Sequence, residues 1–280
     1  MIITIASGKG GTGKTTVATN LAVAVETGVQ LLDCDVEEPN AHLFLNPQIT
    51  ETITVTTPVP EIDRDKCTLC GECENICEFK AIVVLDHTVL TFPEMCHGCG
   101  GCTAVCPAAA IRETGREIGV IEKGHRKDLA FAHGRLRIGE AMSPPLIKRV
   151  RALALPDRFT IIDAPPGTSC PVIAAMKGTD FVLLVTEPTP FGLHDLKLAV
   201  GAVKLLGIPH GLVINRADLG DRRVHAYAEK ENIPILMEIP FDRRVAEAYS
   251  DGVLMVETGS EWKDSFRQLH RSIISAAGKK

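Results

Sequence analysis

Gly8-x-x-x-x-Gly13-Lys14-Thr15 restricts this chain more than any other feature. Such a loop performs its chemistry only between a strand and a helix. The flanks agree: Ile2 to Ala6 is a short apolar run, and Val17, Ala18, Leu21, Ala22 and Val25 follow at helical spacing. Val29 to Leu32 then reads as a second strand, closing on Asp33-Cys34-Asp35. Strand, loop, helix, strand is the beginning of a parallel α/β sheet. The pattern is Walker A. Its glycines let backbone N–H groups turn inward around phosphate oxygens, and the helix adds its positive end. Lys14 would bridge the outer phosphates and the Thr15 hydroxyl would bind Mg²⁺. A glycine turn without a ligand is the bland alternative, which the matching context outweighs.

Further apolar runs at Phe159 to Ile162, Phe181 to Val185, Gly211 to Ile214 and Ile235 to Ile239 each stop at polar or Gly/Pro residues, as strands of an open α/β sheet do. Asp163 ends the first of them and is placed by position as the Walker B carboxylate, holding Mg²⁺ through water. The chain has 280 residues, 45% hydrophobic and 23% charged, a globular composition. Apolar runs reach only about five residues, too short to span a bilayer. Met1 to Ile5 lacks a basic n-region and reads as a strand, not a signal peptide. A net charge of −5 argues against nucleic acid held by bulk electrostatics.

Eight of the 10 cysteines lie between Cys67 and Cys106. Their spacing is that of metal ligation, not of a secreted disulfide framework, which suggests a reducing cytoplasm. Cys67-x2-Cys70-x2-Cys73-x3-Cys77 and Cys96-x2-Cys99-x2-Cys102-x3-Cys106-Pro107 repeat at about 29 residues and match the bacterial ferredoxin run. In that pattern the fourth cysteine serves the other cluster. One [4Fe–4S] cluster would take Cys67, Cys70, Cys73 and Cys106, and the second Cys96, Cys99, Cys102 and Cys77. Zinc is the alternative, disfavoured by eight interleaved ligands. Glu78 stands where Cys106 is followed by proline, and its carboxylate would lower a nearby potential. His97 reads as solvated or as a neighbour of the ligands, and His125, His133 and His194 show no metal spacing. Cys34 reads as a small buried hydrophobe. Cys170 reads as a packed thiol, with a third metal or redox position at a dimer interface as the alternative. Pro58 and Pro60 break the chain before the cysteines.

Lys9-Gly10-Gly11-Thr12-Gly13-Lys14-Thr15-Thr16 resembles the deviant Walker A class of the MinD superfamily, which includes the MinD and ParA ATPases, the nitrogenase iron protein and the Mrp-type iron–sulfur carriers. Residues 186–196 and 239–242 look like the subgroup with an inserted two-cluster ferredoxin domain. The resemblance implies a doubly wound, mostly parallel P-loop sheet carrying a small α+β insertion. The divisions would be 1–57 and 113–280 for the ATPase and 58–112 for the insertion. It implies ATP, with Gly8, Gly10, Gly11, Thr12, Gly13, Lys14, Thr15 and Thr16 as contacts. It gives Lys9 a reach across a homodimer to the partner's nucleotide, Asp35 the attacking water and Asp33 the metal shell. Gly167 would be the γ-phosphate switch, Asn215 the adenine reader and Pro240 the start of the adenine-contacting loop.

Three activities fit: ATP-gated electron transfer through the clusters to a partner protein, a metallocofactor-assembly carrier, or a positioning ATPase with structural clusters. The basic amphipathic stretch around Phe266, Leu269, Ile273 and Ile274, with Arg267, Arg271, Lys279 and Lys280, reads as a docked final helix and not as a membrane tail.

Overall fold

The computed structural model describes residues 1–278; Lys279 and Lys280, part of the basic stretch above, lie outside them. Seven strands run parallel. They are β1 (Ile2–Ala6), β2 (Val29–Asp33), β7 (Leu129–Leu136), β8 (Phe159–Asp163), β9 (Phe181–Thr186), β10 (His210–Asn215) and β11 (Ile235–Ile239). Two antiparallel strands, β3 (Gln48–Ile62) and β6 (Ile111–Arg126), complete a sheet of order β11-β10-β9-β1-β8-β2-β7-β6-β3. The parallel strands are apolar nearly throughout because helices cover both faces. Ile3, Ile5, Leu31 and Ile161 face one core with α1 (Lys14–Val25) and α11 (Ser260–Ala277). Leu32, Ile162, Leu184 and Leu212 face the other with α5 (Pro144–Arg151), α6 (Cys170–Met176) and α7 (Pro190–Leu205). The sheet is therefore doubly wound and mostly parallel, as expected.

The central strand β1 lies between β8 and β9, where the strand order reverses. That reversal opens a crevice at the carboxyl ends of the strands. The glycine loop leaves β1 into it.

The prolines do not break the chain. β3 runs through Pro58 and Pro60, pairing them with Gly115 and Glu113 of β6. β3 is the edge strand, and two prolines two residues apart both turn their missing N–H to the open side. The β3–β6 ribbon thus carries the main sheet outward, and residues 63–110 hang from its end. They form α3 (Glu72–Ile76), α4 (Gly101–Val105) and the hairpin β4 (Ile82–Leu85) with β5 (Thr88–Thr91). Arg116 of β6 pairs with Glu140 in the loop before α5, tying the ribbon to the main body.

The C-terminal stretch docks as expected. Phe266, Leu269 and Ile273 of α11 are buried, whereas Ile274 faces outward. No helix among the described residues is long and apolar enough to cross a membrane.

Candidate functional site: a phosphate-binding crevice and two cysteine-lined cavities

Gly13 precedes α1 at φ 94° without a side-chain cap, so the first amides of the helix stay free for an anion. A Cβ on Gly13 would be strained by that φ and would meet Asn215 Nδ2 at 2.5 Å. At Gly8 it would collide with the carbonyl of Asp195. The loop borders a cavity of about 440 Å³, into which Gly10, Gly11, Gly13, Lys14, Thr15 and Thr16 are drawn together with Asp35, Asn215 and Pro240. A larger cleft of about 870 Å³ opens at the opposite ends of β9, β10 and β11, against α11; Glu231 lines it, but neither the glycine loop nor Asp35 does.

The charges in the crevice balance one another. Lys14 is buried, which lowers its ammonium pKa, while Asp163, Asp35 and Asp33 pull it back up. Thr15 Oγ1 donates to Asp163 Oδ2 at 2.6 Å. Asp163 Oδ1 is buried without a hydrogen-bond partner. A hydroxyl beside a carboxylate with one free buried oxygen fits Mg²⁺, which prefers few protein ligands and keeps several waters. Burial, above all, pushes Asp163 up to about 7, with the Asp35 charge adding to it and Thr15 and Lys14 opposing it. Burial likewise raises Asp35 to about 6, against the pull of Lys14.

These shifts carry a pH prediction. Mg²⁺ needs an ionised Asp163, so its binding must release the proton that burial retains. Calorimetry of Mg²⁺–ADP binding should show affinity falling as pH drops below about 7, approaching about tenfold per unit, with up to one proton released to the buffer as the metal binds. Affinity that is flat between pH 8 and 6 would remove Asp163 from the metal position. The folded carboxyls bind protons that the unfolded chain has lost, so stability without ligand should decline as pH rises from about 4 to about 7.

Not every expected residue reaches the cavity. Asp33 is fully buried behind it, and its two oxygens accept from the amides of Asp35 and Ala41 at 3.0 and 3.1 Å. Burial and the neighbouring Asp163 hold its carboxyl well above the usual range. Lys9 turns to the same chain's Glu187, 3.8 Å away, which also accepts from Arg216 at 2.9 Å. Gly167 sits at φ 96° and donates to Ser7 O at 3.1 Å, linking its loop to the end of β1. Asn215 Nδ2 donates to Thr12 O at 3.0 Å, bracing the glycine loop. Phe241, Tyr249 and Met255 also line the cavity. Phe241 directly follows Pro240, but Tyr249 lies on the short helix Arg243–Ser250, whose pattern does not mark it out.

The cysteine stretch folds into two matching halves. Leu69 and Gly98, Gly71 and Gly100, and Lys80 and Ala109 all have positive φ at equivalent places in the repeat. The halves enclose two cavities. One is lined by Cys67, Cys70, Cys73 and Cys106. The other is lined by Cys77, Cys96, Cys99 and Cys102. Backbone amides of Ala81, Gly98 and Ala110 point at the sulfurs of Cys77, Cys96 and Cys106 at 3.3–3.4 Å. Four sulfurs around each small cavity, with N–H donors to stabilise thiolate charge, fit a four-iron cluster. Among the described residues, no three His, Cys, Asp or Glu side chains are grouped closely enough to hold a single ion.

Of the remaining cysteines, Cys34 is buried in the core. Cys170 is exposed at the start of α6, so the packed-thiol reading does not hold. His97 is exposed and stacked on Phe79, and His133 is buried against Glu122 at 2.7 Å.

A glycine loop opening a helix at the switch point of a doubly wound sheet, with a Thr–Asp pair beside a buried lysine, defines a P-loop nucleotide-binding protein. The CobQ/CobB/MinD/ParA nucleotide binding domain matches residues 3–255, and the chain belongs to that family. An uncharacterized protein of Methanocaldococcus jannaschii is 31% identical over 98% of this chain and 96% of its own length. The iron-sulfur cluster carrier protein of Pyrococcus abyssi is 26% identical over 92% of this chain and 79% of its own. Among solved structures, the septum site-determining protein MinD of Pyrococcus horikoshii, complexed with Mg-ADP, superposes with a TM-score of 0.62 at 22% identity, covering 99% and 97% of the two chains.

Proposed function

We propose that the chain is an iron–sulfur ATPase that binds and hydrolyses MgATP and couples it to electron transfer, through two [4Fe–4S] clusters, to a partner protein. The observation that carries this reading is the convergence of eight cysteines into two interleaved four-sulfur cavities on a ribbon continuous with the nucleotide-binding sheet. When bound, the clusters supply one-electron chemistry. The chain's part is to hold their thiolate ligands rigidly: the interleaved ligands lock each half of residues 58–112 against the other, and the donated N–H bonds fix the sulfurs within each half.

In the crevice, the loop amides and Lys14 cradle the β- and γ-phosphates while Thr15 and Asp163 hold Mg²⁺. Asp35, beside Lys14 on the cavity wall, orients the attacking water. Lys9 lies at the loop surface, where it would leave Glu187 to reach the nucleotide of a second copy. Gly167 reports the γ-phosphate to α6 through Thr168 and Ser169, which join it to that helix. Asn215 and Pro240 lie where the base would rest.

The carrier-protein relative supports a second reading, a cluster-assembly ATPase. Full cysteine ligation from two interlocked halves favours retained clusters over cargo. An anaerobic EPR redox titration with and without MgATP decides between them. A potential shift of tens of millivolts on adding MgATP is expected, since roughly 59 mV per electron corresponds to a tenfold change in coupling. No shift, with iron passing to an apo-acceptor, would establish the assembly reading instead.

A further inference from the structure

Most of the chain's net charge belongs to one small part of it. Residues 63–110 hold seven carboxylates against three basic side chains and so contribute −4 of the total −5. The same segment exposes large apolar side chains: Ile76 is 46% exposed, Phe79 40%, Phe92 41% and Met95 48%. These features meet at one of the two cysteine cavities. Ile76, Phe79 and His97 line the mouth of the cavity that contains Cys99, itself exposed. The Phe79 and His97 rings stack there at 3.5 Å between centroids. Met95 directly precedes Cys96, and Phe92 is held beside Ala81 by an N–H to carbonyl bond of 2.8 Å. Glu78 and Glu94, both exposed, adjoin this apolar collar in the chain.

The other cavity differs. Cys70 is exposed, but the apolar lining, Ile62, Leu69, Val84, Val89 and Ile111, is buried or half-buried. Leu85 and Leu90, each 42% exposed, adjoin Val84 and Val89 in the hairpin but do not line that cavity; of the two cavities, the one at Cys99 has exposed apolar side chains in its own lining, Ile76 and Phe79.

We infer that this face is a docking surface for a redox protein whose own contact face is apolar at its centre and rimmed by lysine or arginine. The inference rests on the reading that clusters fill the two cavities. An apolar patch kept in water at an active edge marks an interaction site. Glu113, which lines the cavity, and Glu78 and Glu94, which adjoin the collar in the chain, steer a basic partner and repel an acidic one. A second copy of this chain fits poorly, because an isologous contact would set Glu78 and Glu94 of both copies against one another.

The test uses the full chain with its clusters, reduced beforehand with dithionite, and two probe proteins: basic cytochrome c and acidic flavodoxin. Each reduced cluster gives one electron to the ferric haem, which becomes ferrous. The rate with cytochrome c should fall as salt rises and exceed that with flavodoxin. The Glu78→Lys/Glu94→Lys variant should lower it about tenfold at low ionic strength. Glu72→Lys/Asp86→Lys, with the same change in net charge, should alter it by less than about twofold. Carbodiimide should cross-link cytochrome c lysines to Glu78 or Glu94, a readout independent of electron flow. Equal losses in the two variants, rates indifferent to salt, or cross-links confined to other carboxylates would overturn the docking surface. If the chain carries no cluster EPR signal, or reduced clusters pass electrons to neither probe, the underlying reading fails. The cross-link map still decides the surface.

Discussion

Lys14→Ala should abolish the response to ATP and leave the iron content of the protein unchanged. Lys14 is only 6% exposed and is the lysine on the cavity wall, at the first turn of α1. Three carboxylates already act on its charge, Asp163 most strongly. In the variant, entering phosphates would meet Asp163 and Asp35 without the compensating ammonium. Removing the one cation from a buried set of charges costs about 2–5 kcal/mol. Nucleotide affinity should therefore drop about 30-fold or more, and phosphate release should fall to background. Titration calorimetry and a phosphate-release assay measure both. The cysteine cavities share no lining residue with the crevice, so iron analysis and EPR should match the parent protein. Loss of the clusters along with ATP binding would mean that the two parts do not fold independently.

Cys106→Ala should remove the cluster of the run that begins at Cys67, not that of its own run. Cys106 is far from Cys67 in sequence, yet it lines the same cavity as Cys67, Cys70 and Cys73. Cys77→Ala should remove the opposite cluster, because Cys77 lines the cavity of Cys96, Cys99 and Cys102. Each variant should lose about four of eight irons per chain, with one EPR signal abolished and the other kept. Pairing either change with Cys70→Ala or Cys99→Ala identifies which cluster is left: Cys106→Ala/Cys70→Ala should lose no more iron than Cys106→Ala alone. The apolar core around these cavities is small, with Cys73, Ile82 and Ile111 its buried members. Cys106→Asp, which restores a ligand oxygen, guards against collapse of the segment. Loss of the cluster nearest in sequence would show that the halves are not interleaved.

Much of this was legible in the residues. The glycine loop, the strand before it and the helix after it were local signals, and β1 and α1 formed where the pattern placed them. The apolar strands were legible because burial on both faces demands unbroken apolar runs. The β3–β6 ribbon was not. Its residues alternate with exposed polar ones, and Pro58 and Pro60 look like breaks until β3 is seen to be an edge. The ion pair of Arg116 with Glu140, like that of Lys9 with Glu187, joins distant parts of the chain and leaves no mark at either residue alone.

What the sequence alone determined is local chemistry: which residues can turn around a phosphate, and which thiols lie at ligand spacing. Both depend on spacings within a single loop, where backbone geometry allows few arrangements. The tertiary structure decided which of these groups face one another. Asp33 ends β2 and Asp35 follows two residues later, yet packing directs one to backbone amides and the other to the cavity wall. The exchange of fourth cysteines was already expected from the spacing of the runs, but the packing of α3 against α4 at the end of one ribbon is what brings Cys106 and Cys77 to the opposite cavities. The separate fates of Asp33 and Asp35 are set by the burial and register of elements far apart in the chain, which no local spacing encodes.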